Sequence, residues 1–221
     1  ICIMLMGAPL VTHAAEVGPA ARIDEIEGKV LATDMVGHAR LLGLNDAVYA
    51  AETVATLGRA RAILVFTDAS KYELGPDTRF RIDRYHYTKN PDEDGAATRV
   101  LKGFFRYVSG AIAELRPRSV GIAVSVATIG IRGTHLVGEV TETSARIGLL
   151  EPEKGDAPSA IEVANAYGTV TISQPGYATE IASPTSAPTP PRLMDLRSMT
   201  RNLRAVQTIR RVIVPHIPHL R

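Results

Sequence analysis

The chain has 221 residues, 45% hydrophobic, 22% charged and 5% aromatic, with one Cys and no Trp; that composition excludes a disordered chain and a disulfide scaffold. A domain of more than ~150 residues buries roughly 70% of the surface its unfolded chain exposes, so no metal or disulfide is needed to hold it. The formal charge of +2 is uneven: residues 192–221 hold seven Arg and one Asp, and the rest holds 18 basic and 22 acidic residues, net −4, a balance that argues against a nucleic-acid-binding body.

Residues 1–11 are apolar and uncharged, a run too short for a hydrocarbon core that needs about 20 residues. Thr12, His13, Ala14, Ala15 and Glu16 lead out of it into a polar chain. The expectation is the apolar and cleavage regions of a secretory signal peptide over residues 1–15, with a truncated basic start, and hence an exported protein. An apolar first strand is the alternative. Cys2 lies inside that run, so the processed chain carries no thiol, as suits an oxidising compartment.

From residue 22 to 182 short β-rich runs alternate with Gly, Asn, Asp and Pro, and sustained helical periodicity is missing. Strands are predicted over 23–31, 38–42, 47–49, 60–66, 71–74, 78–85, 100–108, 120–126, 133–141, 145–150, 160–163, 169–173 and 177–181. Punctuation at this spacing predicts an all-β fold, an antiparallel β-sandwich or β-roll of about 11–13 short strands. Residues 78–83 alternate with period two, which points Phe80 and Ile82 to the core and Arg79, Arg81 and Asp83 to solvent. Ile161–Val163 and Thr169–Ile172 flank a turn at residues 165–168, a hairpin signal.

Two motifs invite chemistry and lack a part. Asn90, Asp92, Asp94 and Gly95 match the start of a calcium loop, but the twelfth position is Leu101 instead of a bidentate Glu, so the segment is read as a solvated acidic hairpin tip. No Gly-x-Ser-x-Gly elbow exists, and His13, His38, His86, His135, His216 and His219 are scattered, so no nucleophile–base pair is visible. Neither a metal nor a cofactor is expected. The run 124–129 is nearly all apolar and is expected to be buried, with Gly130 and Gly133 permitting a turn or bulge beside it. Arg132, if buried, needs a carboxylate or several carbonyls, and Asp68 is one candidate partner.

Residues 183–191 contain four prolines, which predicts an extended linker over 183–192 that stays out of any sheet. Beyond it Leu196, Met199, Leu203, Val206 and Ile209 or Val212 recur at spacings of three and four, while Arg197, Arg201, Arg204, Arg210 and Arg211 lie mostly elsewhere on the helical wheel. This predicts a short basic amphipathic helix within a tail over 193–221, ending before Pro215. Such a helix suits an anionic membrane surface or an acidic partner; equally, it suits docking on the domain or fraying in solvent.

The octet Ala127-Thr128-Ile129-Gly130-Ile131-Arg132-Gly133-Thr134 resembles the signature of FecR-type periplasmic domains. Its flanks are similar in order: Gly28-Lys29-Val30, then Val54 to Gly58, then Ala60 to Ser70 with its Phe66-Thr67-Asp68 turn, Leu74 to Phe80, Leu101 to Gly103, and Ile161 through Tyr177. Ala69 stands where that family usually has a turn glycine. The anti-sigma segment and transmembrane helix of the family's membrane-bound regulators are not among these residues.

The resemblance implies a stand-alone exported β-domain of a Gram-negative periplasm, one that contacts a periplasmic or envelope protein and performs no catalysis. Arg132, Gly133, Thr134 and Asp68 are then the motif and candidate interface residues, with an edge strand or a groove beside Arg132 receiving the partner. Two other readings stand beside it: an envelope adaptor anchored by the basic tail, and a hydrolase with an unrecognised site.

Overall fold

Residues 18–133, 135–151 and 159–195 are described by a computed structural model. Their fold is all-β and is built from two sheets that share one long strand. That strand, β9 (Gly95–Val108), follows eight earlier ones: β1 (Ala21–Glu27), β2 (Val30–Thr33), β3 (Ala39–Leu41), β4 (Ala47–Val48), β5 (Thr53–Thr56), β6 (Arg61–Phe66), β7 (Lys71–Leu74) and β8 (Arg79–His86). After it come a short helix α1 (Ala111–Leu115), a 3-10 turn (Pro117–Ser119), β10 (Val120–Val124), β11 (Ala127–Arg132), β12 (His135–Val140), β13 (Ala145–Leu149), β14 (Ala160–Asn165), β15 (Gly168–Ile172), β16 (Tyr177–Ile181) and β17 (Arg192–Leu193).

The first sheet runs β4–β1–β6–β7–β9–β12–β13–β16–β17. The second runs β3–β2–β5–β8–β9–β10–β11–β14–β15. All of these pairings are antiparallel except β9 with β10. A parallel neighbour demands a crossover rather than a hairpin, and α1 with the 3-10 turn supplies it. Residues Gly95–Lys102 of β9 pair with β8 in the second sheet, and residues Gly103–Val108 pair with β12 in the first. The change of sheet falls at Gly103, where φ is +105° and an added Cβ would lie 2.4 Å from the Thr78 Cα, so only glycine fits that bend.

One contiguous core lies between the sheets. Phe66 and Tyr72 from the first sheet meet Phe80 from the second at centroid distances of 6.5 and 4.5 Å, and Tyr107 packs tilted against Tyr72 at 4.9 Å. The Tyr72 hydroxyl is satisfied by the Thr98 Oγ1 at 2.6 Å, as a buried phenol requires. The alternation expected over 78–83 holds: Phe80 and Ile82 are fully buried, Arg79 and Arg81 exposed.

Several strands differ from the predicted set. The run 23–31 is two strands, broken where Gly28 adopts φ +77°. The run 124–129 is no continuous buried strand: it folds into the β10–β11 hairpin with Val124 paired to Ala127, leaving Ser125 and Thr128 exposed. β5, β11 and β17 bring the strands to more than the sequence pattern suggests.

The proline-rich segment is not a free linker. Ser186 O accepts from Asn165 Nδ2 at 2.8 Å, Thr189 O accepts from Thr179 Oγ1 at 2.7 Å, and Thr189 N–H donates to Glu180 O at 3.0 Å. It straps the open side of the sandwich between β15 and β16, and Arg192–Leu193 then add to β16. Prolines bar a ladder, but side chains and the remaining amides still anchor such a segment. Among the described residues no helix is long and apolar enough to cross a membrane.

Candidate functional site

Asp68 sits on the β6–β7 turn, 3% exposed. Its Oδ1 accepts from the Ser70 hydroxyl at 2.7 Å, the Ser70 N–H at 3.2 Å and the Tyr85 hydroxyl at 3.2 Å; its Oδ2 faces the Ile112 N–H at 3.4 Å. The Ala111 N–H donates to its carbonyl at 2.9 Å. The residue thus joins the turn to β8 and to the start of α1. Its carboxylate is not the partner of Arg132, and the expected pairing is corrected on these contacts: Asp68 is buried and already satisfied, whereas Arg132 is exposed at the end of β11.

Burial, with the Asp68 charge as a lesser cause, pushes the Tyr85 and Tyr72 hydroxyls well above the usual phenol range. Tyr107 is raised in the same way, by burial first and then by the neighbouring phenols and Asp68. Asp68 therefore anchors a buried aromatic network and is sealed off from any partner surface.

Arg132 lies on the rim of a shallow groove of about 440 Å³ that also takes in Arg118, Val120, Gly130, Glu162 and Thr171. Cross-strand register puts Gly121, Gly130, Glu162 and Thr171 in one row across β10, β11, β14 and β15. Among the described residues Arg118 and Arg132 form no ion pair, so both guanidinium groups face solvent. Gly133 takes φ +44° in the turn after β11, the turn role that the sequence suggests. Thr134 and the tail residues Arg197, Arg201, Arg204, Arg210 and Arg211 lie outside the described residues. The structure thus places Arg132 at an open groove, with Gly133 in the turn beyond it, and does not pair Arg132 with Asp68.

Both ends of the second sheet are open. The far edge of β15 has no strand paired to it among the described residues; the strap touches its Gly168 end, with Ala187 Cβ 3.2 Å from an added Cβ there. At the other end, among the described residues, β3 pairs only with β2. Here Met35, Val36, Leu41 and Leu44 are 59–77% exposed. The hairpin tip that presents the first two is held by Asp34, whose Oδ1 accepts the Val36 and His38 N–H groups at 3.0 and 2.8 Å. Those backbone donors, the His38 amide foremost, keep its carboxyl below the usual range.

Sequence reasoning misses this apolar edge, since Met35 and Val36 read as ordinary strand-flanking residues. The available signal is four large apolar side chains in a Gly- and Asp-rich stretch beside the short predicted runs 38–42 and 47–49.

The acidic loop is internally satisfied: Asp94 Oδ1 accepts the Thr88 N–H at 2.6 Å, and Arg116 bonds Pro91 O and Asp92 Oδ1 at 2.6 and 2.9 Å. Among the described residues no group of three or more His, Cys, Asp or Glu is placed to hold a metal.

No family model matches the chain, and no curated protein matches it. Two crystal structures of a putative anti-sigma factor from Parabacteroides distasonis, at 1.65 and 2.50 Å, share its fold with TM-scores of 0.52 at 10% and 11% identity. The likeness covers 69% of this chain in both and 65% and 64% of those chains, so this chain spans just under two thirds of their length.

Proposed function

We propose that this chain is a FecR-like, exported, non-enzymatic binding domain that takes an extended segment of a periplasmic or envelope protein onto the open β3 edge, in signalling or regulation. The observation that carries the reading is the β3 edge itself. An unpaired strand edge offers a row of backbone donors and acceptors, and proteins usually blunt such edges with charge, Pro or a covering element. β3 is short and its Arg40 is paired with Glu52 at 2.8 Å, yet the edge also presents Met35, Val36, Leu41 and Leu44, all well exposed. Exposed apolar side chains beside a free edge suit strand addition, in which main-chain bonds give affinity and side-chain pockets give selectivity.

The fold shared with a protein described as an anti-sigma factor supports a regulatory role, and the apolar leader-like residues 1–15 support export. The test is site-specific photocrosslinking in cells from positions 36, 41 and 132, paired with Val36→Asp/Leu41→Asp. Adducts from 36 and 41 that vanish in the double variant, at unchanged circular dichroism, are expected. Capture that survives the double variant and requires Arg132 moves the site to the groove and overturns the edge assignment. Confinement of the intact product to the cytosol overturns export.

A further inference from the structure

The outward face of the second sheet is basic, although the chain outside residues 192–221 has a net charge of −4. On β8 and β9 this face carries Arg79, Arg81, Arg84 and Arg99, all exposed, and Arg118 and Arg132 follow at the groove. Asp83 answers two of them, at 3.1 Å from Arg81 Nε and 3.0 Å from Arg99 Nη2. Arg84, Arg118 and Arg132 have no ion pair or hydrogen bond among the described residues. The nearby acidic loop does not serve them: Asp92 is taken by Arg116 at 2.9 Å, Glu93 stands 3.9 Å from His86, and Asp94 is held by Thr88.

These three guanidinium groups belong to one end of the sheet. Tyr85 points inward to meet Asp68, which leaves Arg84 beside it on the outward side. The Arg84 Nη2 lies 4.0 Å from the place that a Cβ on Gly95 would take, and the Ser119 carbonyl lies 3.3 Å from the same place. Ser119 adjoins Arg118 in the 3-10 turn, and the antiparallel register beyond the Gly121–Gly130 pair sets it level with Arg132. The floor between the arginines is bare backbone: a Cβ on Gly121 would meet nothing within 4 Å. Glu162, opposite Gly130 in register, stands across that floor.

We propose that this end of the second sheet receives an acidic, extended protein segment, its carboxylates bound by Arg84, Arg118 and Arg132 and its N–H donors turned to Glu162. Unpaired guanidinium groups suit carboxylates, which they can grip through two parallel bonds. Alternate residues of an extended segment stand about 6.6 Å apart on one side, so one strand presents its carboxylates to the arginines in series. The arginines set the sign of the ligand, and Glu162 sets its kind. A phosphate or sulfate polymer brings dense negative charge that Glu162 repels, whereas a peptide brings an N–H at nearly every residue for that carboxylate to accept. Single-stranded nucleic acid needs aromatic platforms, and the groove lining has none. A membrane needs apolar anchors beside the charges, and the large apolar residues of the lining, Val120, Ile131 and Ile161, are buried.

The site lies across β8–β11 and β14, away from the β3 edge, and stands independently of that reading. It is tested by fluorescence anisotropy on the purified full chain, with a labelled peptide of alternating Thr and Glu and the same peptide carrying Gln for Glu. The Glu peptide is expected to bind at least about tenfold tighter than the Gln peptide. Arg84→Ala, Arg118→Ala and Arg132→Ala should each weaken it about three- to fivefold, and the triple variant about thirtyfold or more, with thermal unfolding unchanged. Arg79→Ala removes the same charge from the far end of β8 and should leave affinity within about twofold.

Failure of the Glu peptide to bind, or equal binding of the Gln peptide, overturns the proposal. A triple variant that binds like wild type puts the acidic segment elsewhere, the basic tail included, and overturns it. Equal losses from Arg79→Ala and Arg132→Ala show diffuse attraction in place of a site, with the same consequence. Arg132-dependent binding of single-stranded DNA or heparin that is tighter than that of the Glu peptide assigns the face to a polyanion and overturns it too. The measurement uses a defined peptide, so its failure leaves the crosslinks from positions 36 and 41 untouched.

Discussion

The carboxylate of Asp68 accepts the hydroxyl of Tyr85 at 3.2 Å, tying a turn of the first sheet to a strand of the second. Tyr85 in turn accepts the Asp68 N–H at 2.9 Å and lies 2.9 Å from the Thr67 hydroxyl. Asp68→Asn keeps the shape but weakens the acceptor that serves Ser70, Tyr85 and Ile112. Removing charge-assisted bonds from a buried site costs about 2–4 kcal/mol. Urea unfolding should show that loss for Asp68→Asn and a smaller one, about 1–2 kcal/mol, for Tyr85→Phe. A variant of wild-type stability would return Asp68 to the list of surface residues.

Ala69, next in the chain, takes φ +68°. A Cβ in the left-handed region costs about 1–2 kcal/mol, and part of that is offset by the greater unfolded-state freedom of glycine. Ala69→Gly should therefore stabilise the domain by about 0.5–1 kcal/mol, seen as a rise in the urea midpoint with no change in slope. This is the position where the FecR-like pattern usually has glycine. Here an alanine occupies the left-handed conformation and carries the strain.

How far the sequence can be read is clear from such places. Period-two alternation locates β8, and β7 and β16 are bounded to the residue, because their polar and apolar residues alternate and turn formers flank them. The β10–β11 hairpin is hidden: its turn residues Ser125 and Val126 carry no turn signal, so the run looks like one buried strand. The Arg132 octet is legible as a motif but not as a place. Whether Arg132 reaches inward to Asp68 or outward to a groove depends on strand register, which a motif does not encode. Arg132→Ala should leave stability within about 0.5 kcal/mol of wild type, as for other exposed side chains without partners. A larger loss in thermal unfolding would mean the guanidinium is held by the fold after all.

The buried phenols set an alkaline limit. Tyr72, Tyr85 and Tyr107 all have their ionisation pushed upward, chiefly by burial, whereas in the unfolded chain a phenol ionises near pH ~10. A raised folded value means the native state holds its protons while the unfolded state gives them up. The stability from these groups is therefore complete below about pH 10 and falls as pH rises beyond it. Urea midpoints measured from about pH 8 to 11.5 should be flat and then drop. A spectrophotometric titration should show these three tyrosines ionising only as the domain unfolds. Smooth ionisation of all seven tyrosines with ellipticity intact would contradict the burial.

Two glycines on strands consecutive in sequence but in different sheets give opposite expectations. Gly138 on β12 pairs with Phe105 on β9, and an added Cβ would stand 2.1 Å from the Phe105 ring. That ring is fully buried and lies across the glycine, as aromatic residues do where they cover a bare stretch of strand. With no space to yield, Gly138→Ala should cost about 2–3 kcal/mol by overpacking.

Gly130 on β11 faces the open groove, where the nearest atom to an added Cβ is the Glu162 Cβ at 3.8 Å, an ordinary contact. Its backbone is unstrained, so Gly130→Ala should be neutral or stabilise by up to about 1 kcal/mol, since glycine weakens a strand interior. The pair separates scaffold from surface within one β-domain. If Gly130→Ala folds as well as wild type yet loses partner capture, the bare groove floor is a binding surface. If it both folds and captures, the β3 edge acts without the groove.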